Sequence, residues 1–94
     1  MKIGLLTLVL RFPGCASLKE KRGRLKPVLT RLHREFNLST AEIDRQDVWD
    51  EAVVACAMVA GNGANLQAAL QDVIIFTGKN WPENVLWEHR IELI

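Results

Sequence analysis

The stretch Ser17–Glu35, SLKEKRGRLKPVLTRLHRE, sets the frame for the rest of this 94-residue chain. Ser17 and Glu20 form the S-x-x-E pattern of a capping box, in which hydroxyl and carboxylate each satisfy a backbone N–H left free at a helix start. Leu18, Leu25, Leu29, Leu32 and Phe36 then recur at helical spacing, with Val28 at the edge of the stripe. Pro27 falls inside this pattern, where it lacks an N–H and crowds the carbonyl of Gly23, at a cost of about 3 kcal/mol. The spacing predicts a bend there and a helix that continues, because Leu29 and Leu32 hold the phase.

The segments on either side read as strands. Lys2 to Phe12 is apolar on both parities apart from Thr7 and Arg11 and is closed by Pro13-Gly14, which suits a central strand covered on both faces. Phe36 to Asp44 alternates, with Ser39, Ala41 and Ile43 on one side, and suits an edge. Ala52 to Ala60, AVVACAMVA, is again apolar on both parities. Gly61-Asn62-Gly63 breaks it, and Asn62 or Asn65 caps a second helix that carries Leu66, Leu70, Val73, Ile74 and Thr77 at helical spacing. Gly78, Lys79 and Asn80 end this helix, and Pro82 prevents resumption. Asn84 to Ile94 alternates, with Val85, Trp87, His89, Ile91 and Leu93 on the apolar parity.

The order strand, helix, strand, strand, helix, strand predicts a single α+β domain. Its arrangement is the ferredoxin-like βαββαβ fold, a four-stranded antiparallel sheet with both helices on one face. Because the central strands are apolar on both parities, part of Ile3, Leu5 and Val9 should lie on the uncovered face. An apolar patch of that kind marks an interface, here expected to join a homodimer through the sheet face or an edge.

Charge is segregated along the chain. Up to Arg34 lie nine of the twelve bases and one of the eleven acids, Glu20. Lys19, Arg22 and Lys26 form a row on one flank of the first helix, extended by His33, and Arg24, Arg31 and Arg34 form a row on the other. Two basic rows are suited to tracking a phosphate backbone. A solvated outer face is the competing reading. Against it, Lys19, Lys21 and Arg22 sit in the first turns, where the helix dipole disfavours cations by about 0.3–1 kcal/mol each.

Other features carry less chemistry. Trp49 in the connection Gln46-Asp47-Val48-Trp49 is either a partner anchor or a cap over the core, and the usual burial of tryptophan favours the cap. Trp81 and Trp87 are read the same way. Asp44, Asp47, Asp50 and Glu51 lack the glycine-ordered spacing of a calcium loop and read as a solvated acidic turn. Gly61-Asn62-Gly63 lacks the P-loop lysine and reads as a tight turn. His33 and His89 have no sequence partner for catalysis, and His89, on the apolar parity of an edge strand, is expected to be partly buried. Cys15 and Cys56 stand in no metal or redox spacing and are expected as reduced thiols. The run Ile3–Leu10 is too short, and Phe12-Pro13 too bulky, for a secretory leader. No run approaches the roughly 18 apolar residues of a spanning helix. No catalytic residue, metal or cofactor is therefore expected, nor a membrane, and the expected location is the cytoplasm.

SLKEKR at Ser17–Arg22, Leu25-Lys26, the turn Phe12-Pro13-Gly14, FNLSTAE at 36–42 and QDVW at 46–49 together resemble the YlxP-like family of small bacterial proteins of unknown function. The resemblance runs from Lys2 to about Ile91. It implies a compact ferredoxin-like fold and a gene context beside translation-initiation and ribosome-maturation genes, and it carries no catalytic residues. With the basic helix, that context makes ribosomal RNA or a ribosomal subunit the expected partner, contacted by Lys19, Arg22, Arg24, Lys26, Arg31 and Arg34. The alternative is a homodimeric protein-interaction module with Trp49 as an anchor.

Overall fold

A computed structural model describes all residues, Met1–Ile94. Two ten-residue strands, β1 (Lys2–Arg11) and β3 (Glu51–Ala60), lie side by side at its centre. They pair antiparallel without interruption, from Lys2 opposite Ala60 to Arg11 opposite Glu51. Between them in sequence come helix α1 (Leu18–Glu35) and strand β2 (Ser39–Asp44); helix α2 (Gly63–Asn80) and strand β4 (Val85–Leu93) follow. The sheet order is β2-β3-β1-β4, all antiparallel, so the two alternating segments are the edges. This is the ferredoxin-like α+β arrangement, and each strand lies within a few residues of its sequence-predicted span.

One face of the sheet carries the core. Leu6, Leu8 and Leu10 of β1, with Ala52, Val54 and Cys56 of β3, are fully buried against Leu25, Val28 and Leu32 of α1 and Leu66, Leu70 and Val73 of α2. Each large side chain so buried contributes about 1.5–3 kcal/mol. At Gly4, a Cβ would stand 2.7 Å from Leu70 Cδ1 and 2.9 Å from Leu66 Cγ, so α2 approaches β1 closely because that strand position has no side chain.

The helix starts follow their sequence signals. Ser17 Oγ accepts from Glu20 N at 3.1 Å, while Glu20 Oε2 accepts from Ala16 N at 2.8 Å, one residue before the cap. Asn62 Oδ1 accepts from Ala64 N and caps α2. Helix α1 runs through Pro27, which is exposed and follows the equally exposed Gly23 by one turn. The helix layer is joined by long side chains: Phe36, Phe76 and Trp81 meet edge to face at 5.2 and 5.8 Å, and Arg31 lies over both Phe76 and Trp81.

Both edge strands carry a bulge at the same end of the sheet. In β2, Glu42 pairs with Val54 and Asp44 with Val53, leaving Ile43 as the extra residue. In β4, Leu86 pairs with Leu10 and Glu88 with Val9, leaving Trp87. A bulge switches the parity of everything beyond it. Leu86 and Ile91 both reach the core side although they are of opposite parity, which corrects the uniform alternation expected for β4. His89 is exposed, against the expectation of partial burial. It lies on the outermost strand, beyond the cover of the helices.

The opposite face of the sheet has no helix over it. Cross-strand pairing places Ile3, Leu5, Thr7, Val9 and Arg11 of β1 there, beside Val59, Ala57, Ala55, Val53 and Glu51 of β3. This is the apolar second face that the doubly apolar central strands implied; Val9 and Val53 are only 8% exposed, so its open part lies on Ile3, Leu5, Ala55, Ala57 and Val59.

Candidate functional site

The basic helix divides into two populations once its neighbours are known. Lys21 is 1% exposed. At spacings of four, seven and eleven it shares the inward stripe with Leu25, Val28 and Leu32, the other buried residues of α1. Its ammonium lies 2.7 Å from Val48 O, 2.9 Å from Arg45 O, 3.0 Å from Glu51 O and 3.4 Å from Gln46 O. The carboxylate of Glu42 is 2.8 Å away. An ammonium has three N–H groups, so the four carbonyls share them. Glu42 Oε2 has no hydrogen-bond partner of its own and acts here as the opposite charge rather than as a directed acceptor. A buried cation needs this pairing, since an uncompensated one costs several kcal/mol.

Three of those carbonyls belong to the connection between β2 and β3 and the fourth to Glu51 at the start of β3, so Lys21 holds that loop to the first turns of α1. Arg45 in the loop has φ of 59°, the left-handed region that costs a non-glycine residue about 1–2 kcal/mol. Its N–H is held by Asp44 Oδ1 at 2.8 Å, its carbonyl by Lys21 and its guanidinium by Glu51. The fixed loop carries Trp49 outward. Trp49 is 55% exposed, which corrects the expectation that it caps the core, and Val48 beside it is also exposed.

Of the predicted phosphate contacts, Arg24 and Arg31 are engaged within the protein. Arg24 donates to Pro13 O at 3.0 Å and Asn84 Oδ1 at 2.9 Å, with its guanidinium 5.3 Å from the Phe12 ring centroid. Arg31 reaches Asn80 Oδ1 at 3.4 Å while covering Phe76 and Trp81. These two arginines fasten α1 to the segment around α2 and are only half-exposed. His33 donates from Nδ1 to Leu38 O at 2.8 Å. Lys19, Arg22, Lys26 and Arg34 are exposed and make no ion pair.

Lys19, Arg22 and Lys26 therefore remain as one free row on the flank of α1 nearest β2. Arg22 and Lys26 border a shallow concavity with Leu25, Leu29 and Glu42. Glu42 is the carboxylate placed to neutralise them, and Lys21 already holds it from inside.

The remaining features bring no catalytic set together. No three His, Cys, Asp or Glu side chains converge as a metal site would require. Cys15 and Cys56 are both free and buried. Burial pushes the Cys56 thiol above its ordinary range, only partly offset by its hydrogen bond with Thr40. The largest concavity, about 520 Å³, lies at the end of the sheet between Arg11, Phe12, Asp50, Glu51 and Trp87. Trp87 was expected in the core with Trp81; Trp81 is buried, but Trp87 is exposed, with the Arg11 guanidinium 3.6 Å from its ring centroid. No helix is long and apolar enough to cross a membrane.

These observations define a small ferredoxin-like α+β protein whose distinctive chemistry is a clamped loop and a free basic row. The chain belongs to the family described as protein of unknown function (DUF503), which it matches over residues 3–90. It is 42% identical over 60 residues to the uncharacterized protein YlxP of Bacillus subtilis (strain 168), a match covering 64% of this chain and 65% of that protein. The alignment thus spans just under two thirds of the relative's length.

Proposed function

We propose that this protein is a non-catalytic binding module that contacts structured RNA of the ribosome through Lys19, Arg22 and Lys26, with Arg34 at the margin. The observation that carries the reading is that these cations have no partner carboxylate, although Glu42 stands beside two of them and is taken by Lys21. A row at spacings of three and four residues extends about 10 Å along the helix, room for two or three phosphates. The gene context implied by the family resemblance makes the ribosome the RNA of choice. The cytoplasm is the matching location, where unpaired Cys15 and Cys56 persist.

The test is a salt titration of binding to a ribosomal subunit and to a generic RNA, with a Lys19/Arg22/Lys26 triple alanine variant alongside. Three phosphate contacts give a slope of log K against log salt of about −2 to −3, which the variant should lose. Preference for the subunit supports the ribosomal assignment. Salt-independent binding, or binding unchanged in the variant, overturns it.

A second reading rests on Trp49. A rigid loop that leaves a tryptophan in water matches a protein-binding anchor, since preorganised aromatics dominate interface energies. It predicts a protein partner that is lost with Trp49→Ala and retained by the triple alanine variant.

A further inference from the structure

We infer that the uncovered face of the sheet is a docking surface for a second copy of this chain, joined face to face rather than edge to edge. The surface has an uncharged middle and charged margins. Leu5, Thr7 and Val9 of β1 lie beside Ala57, Ala55 and Val53 of β3, with Ser39 and Ala41 of β2 beyond them. The alanines keep the middle low, which lets a second sheet approach to the roughly 10 Å at which sheets stack. Bulkier groups stand at the two ends, Ile3 with Val59 at one and Trp87 with Arg11 at the other.

The charges on β4 favour a copy of the same chain. Pairing puts Glu88 opposite Val9, Arg90 opposite Thr7 and Glu92 opposite Leu5, so the open face of this strand carries a negative, positive, negative series. A two-fold axis across the strands reverses such a series. With the axis between Arg90 and either neighbour, each Arg90 meets one glutamate of the other copy, giving two symmetry-related ion pairs. Arg90 bridges Glu92 of its own strand at 2.8 Å in each free copy, so association exchanges the two internal ion pairs for two across the interface, where they are specific to the antiparallel register.

Size agrees with this occupant. Strands spaced about 4.8 Å apart with a rise of about 3.3 Å per residue give a face of roughly 550 Å² in projection. Side chains make the accessible area larger, so two such faces reach the roughly 1,200 Å² at which specific interfaces begin. The edges are the weaker route. Both β2 and β4 are bulged, at Ile43 and Trp87, and a bulged edge resists extension by another strand. A polyanion is a poor occupant, because the central ladder from Leu5 to Val9 offers no cation and Arg11 is stacked on Trp87.

The experiment is sedimentation velocity from about 1 to 100 µM, with circular dichroism as the check on folding. The wild type should move to twice its 10.6 kDa mass as concentration rises. Ala57→Arg, a change at an exposed position, should stay monomeric and folded. Arg90→Glu alone, and Glu88→Arg with Glu92→Arg in one chain, should each lose the dimer, and mixing the two proteins should restore it. A wild type that is monomeric throughout overturns the inference. So does a dimer that survives Ala57→Arg, or a mixture that fails to associate. The Lys19/Arg22/Lys26 variant should dimerise as the wild type does, which separates this surface from RNA contact.

Discussion

Lys21 and the row of Lys19, Arg22 and Lys26 share a helix, a motif and a charge, yet the protein uses them in opposite ways. Lys21 is turned inward, loses its water and recovers the loss from four carbonyls and one carboxylate. Its neighbours are turned outward and keep theirs. One cation shapes a loop and the others leave an unmatched field. The difference comes from helical phase: at about 100° per residue, Lys19, Arg22 and Lys26 stand about 160°, 100° and 140° around α1 from Lys21.

The largest effect that tests this contrast is Lys21→Met. It leaves Glu42 half-buried without its counter-charge and frees the carbonyls of the 45–51 connection, so unfolding free energy should fall by about 3–5 kcal/mol in a denaturant titration. Amide exchange should rise across the loop. Adding Glu42→Leu should restore part of the loss, since removing both charges costs less than orphaning one. If Lys21→Met and Lys19→Met shift the denaturation midpoint equally, the contrast between inner and outer cations fails.

Arg24→Ala comes next. It removes charge-assisted bonds to Pro13 and Asn84 at a half-exposed site, which predicts a loss of about 1–2 kcal/mol. Arg22→Ala, two positions earlier, should leave the midpoint unchanged and weaken RNA binding instead. The pair separates arginines that fasten the helix from those that remain available.

The smallest effect concerns a buried titratable group with little to compensate it. Cys56 is fully buried, and burial raises its thiol above the ordinary range. The unfolded chain releases this proton at the ordinary thiol value while the folded chain keeps it. Stability from this group is therefore complete below the unfolded value and is lost as pH rises through the folded one. Thermal melts should decline at alkaline pH, and the decline should be shallower in Cys56→Ala. Equal slopes would mean that burial without partners does not govern this group.

Much of the fold was legible because each element announced itself locally. Doubly apolar strands gave the centre, alternating strands the edges, and Ser17 and Asn62 the helix starts. Besides His89, which lies uncovered on the outermost strand, two tryptophans misled for a physical reason. Trp49 and Trp87 were read as core because tryptophan is usually buried, yet one sits on a loop fixed from below and the other at a bulge. A bulge depends on which residue the neighbouring strand pairs with, and no local pattern carries that. Lys21 was different, because its phase already placed it in the gap of the apolar stripe between Leu18 and Leu25. The signal was present and was masked by the lysine's ordinary association with water.

The sequence by itself determined the order of elements, the central and edge strands, the charge segregation and an apolar second face. These depend on local propensity and period, which neighbours in the chain already set. Tertiary structure alone decided which cations are spent inside and which stay free, where the parity of the edge strands breaks, and that Trp49 stands in solvent on a held loop. Each of these is a relation between residues far apart in sequence: Lys21 is 24 to 30 positions from the carbonyls it binds, and only the folded chain brings them within reach.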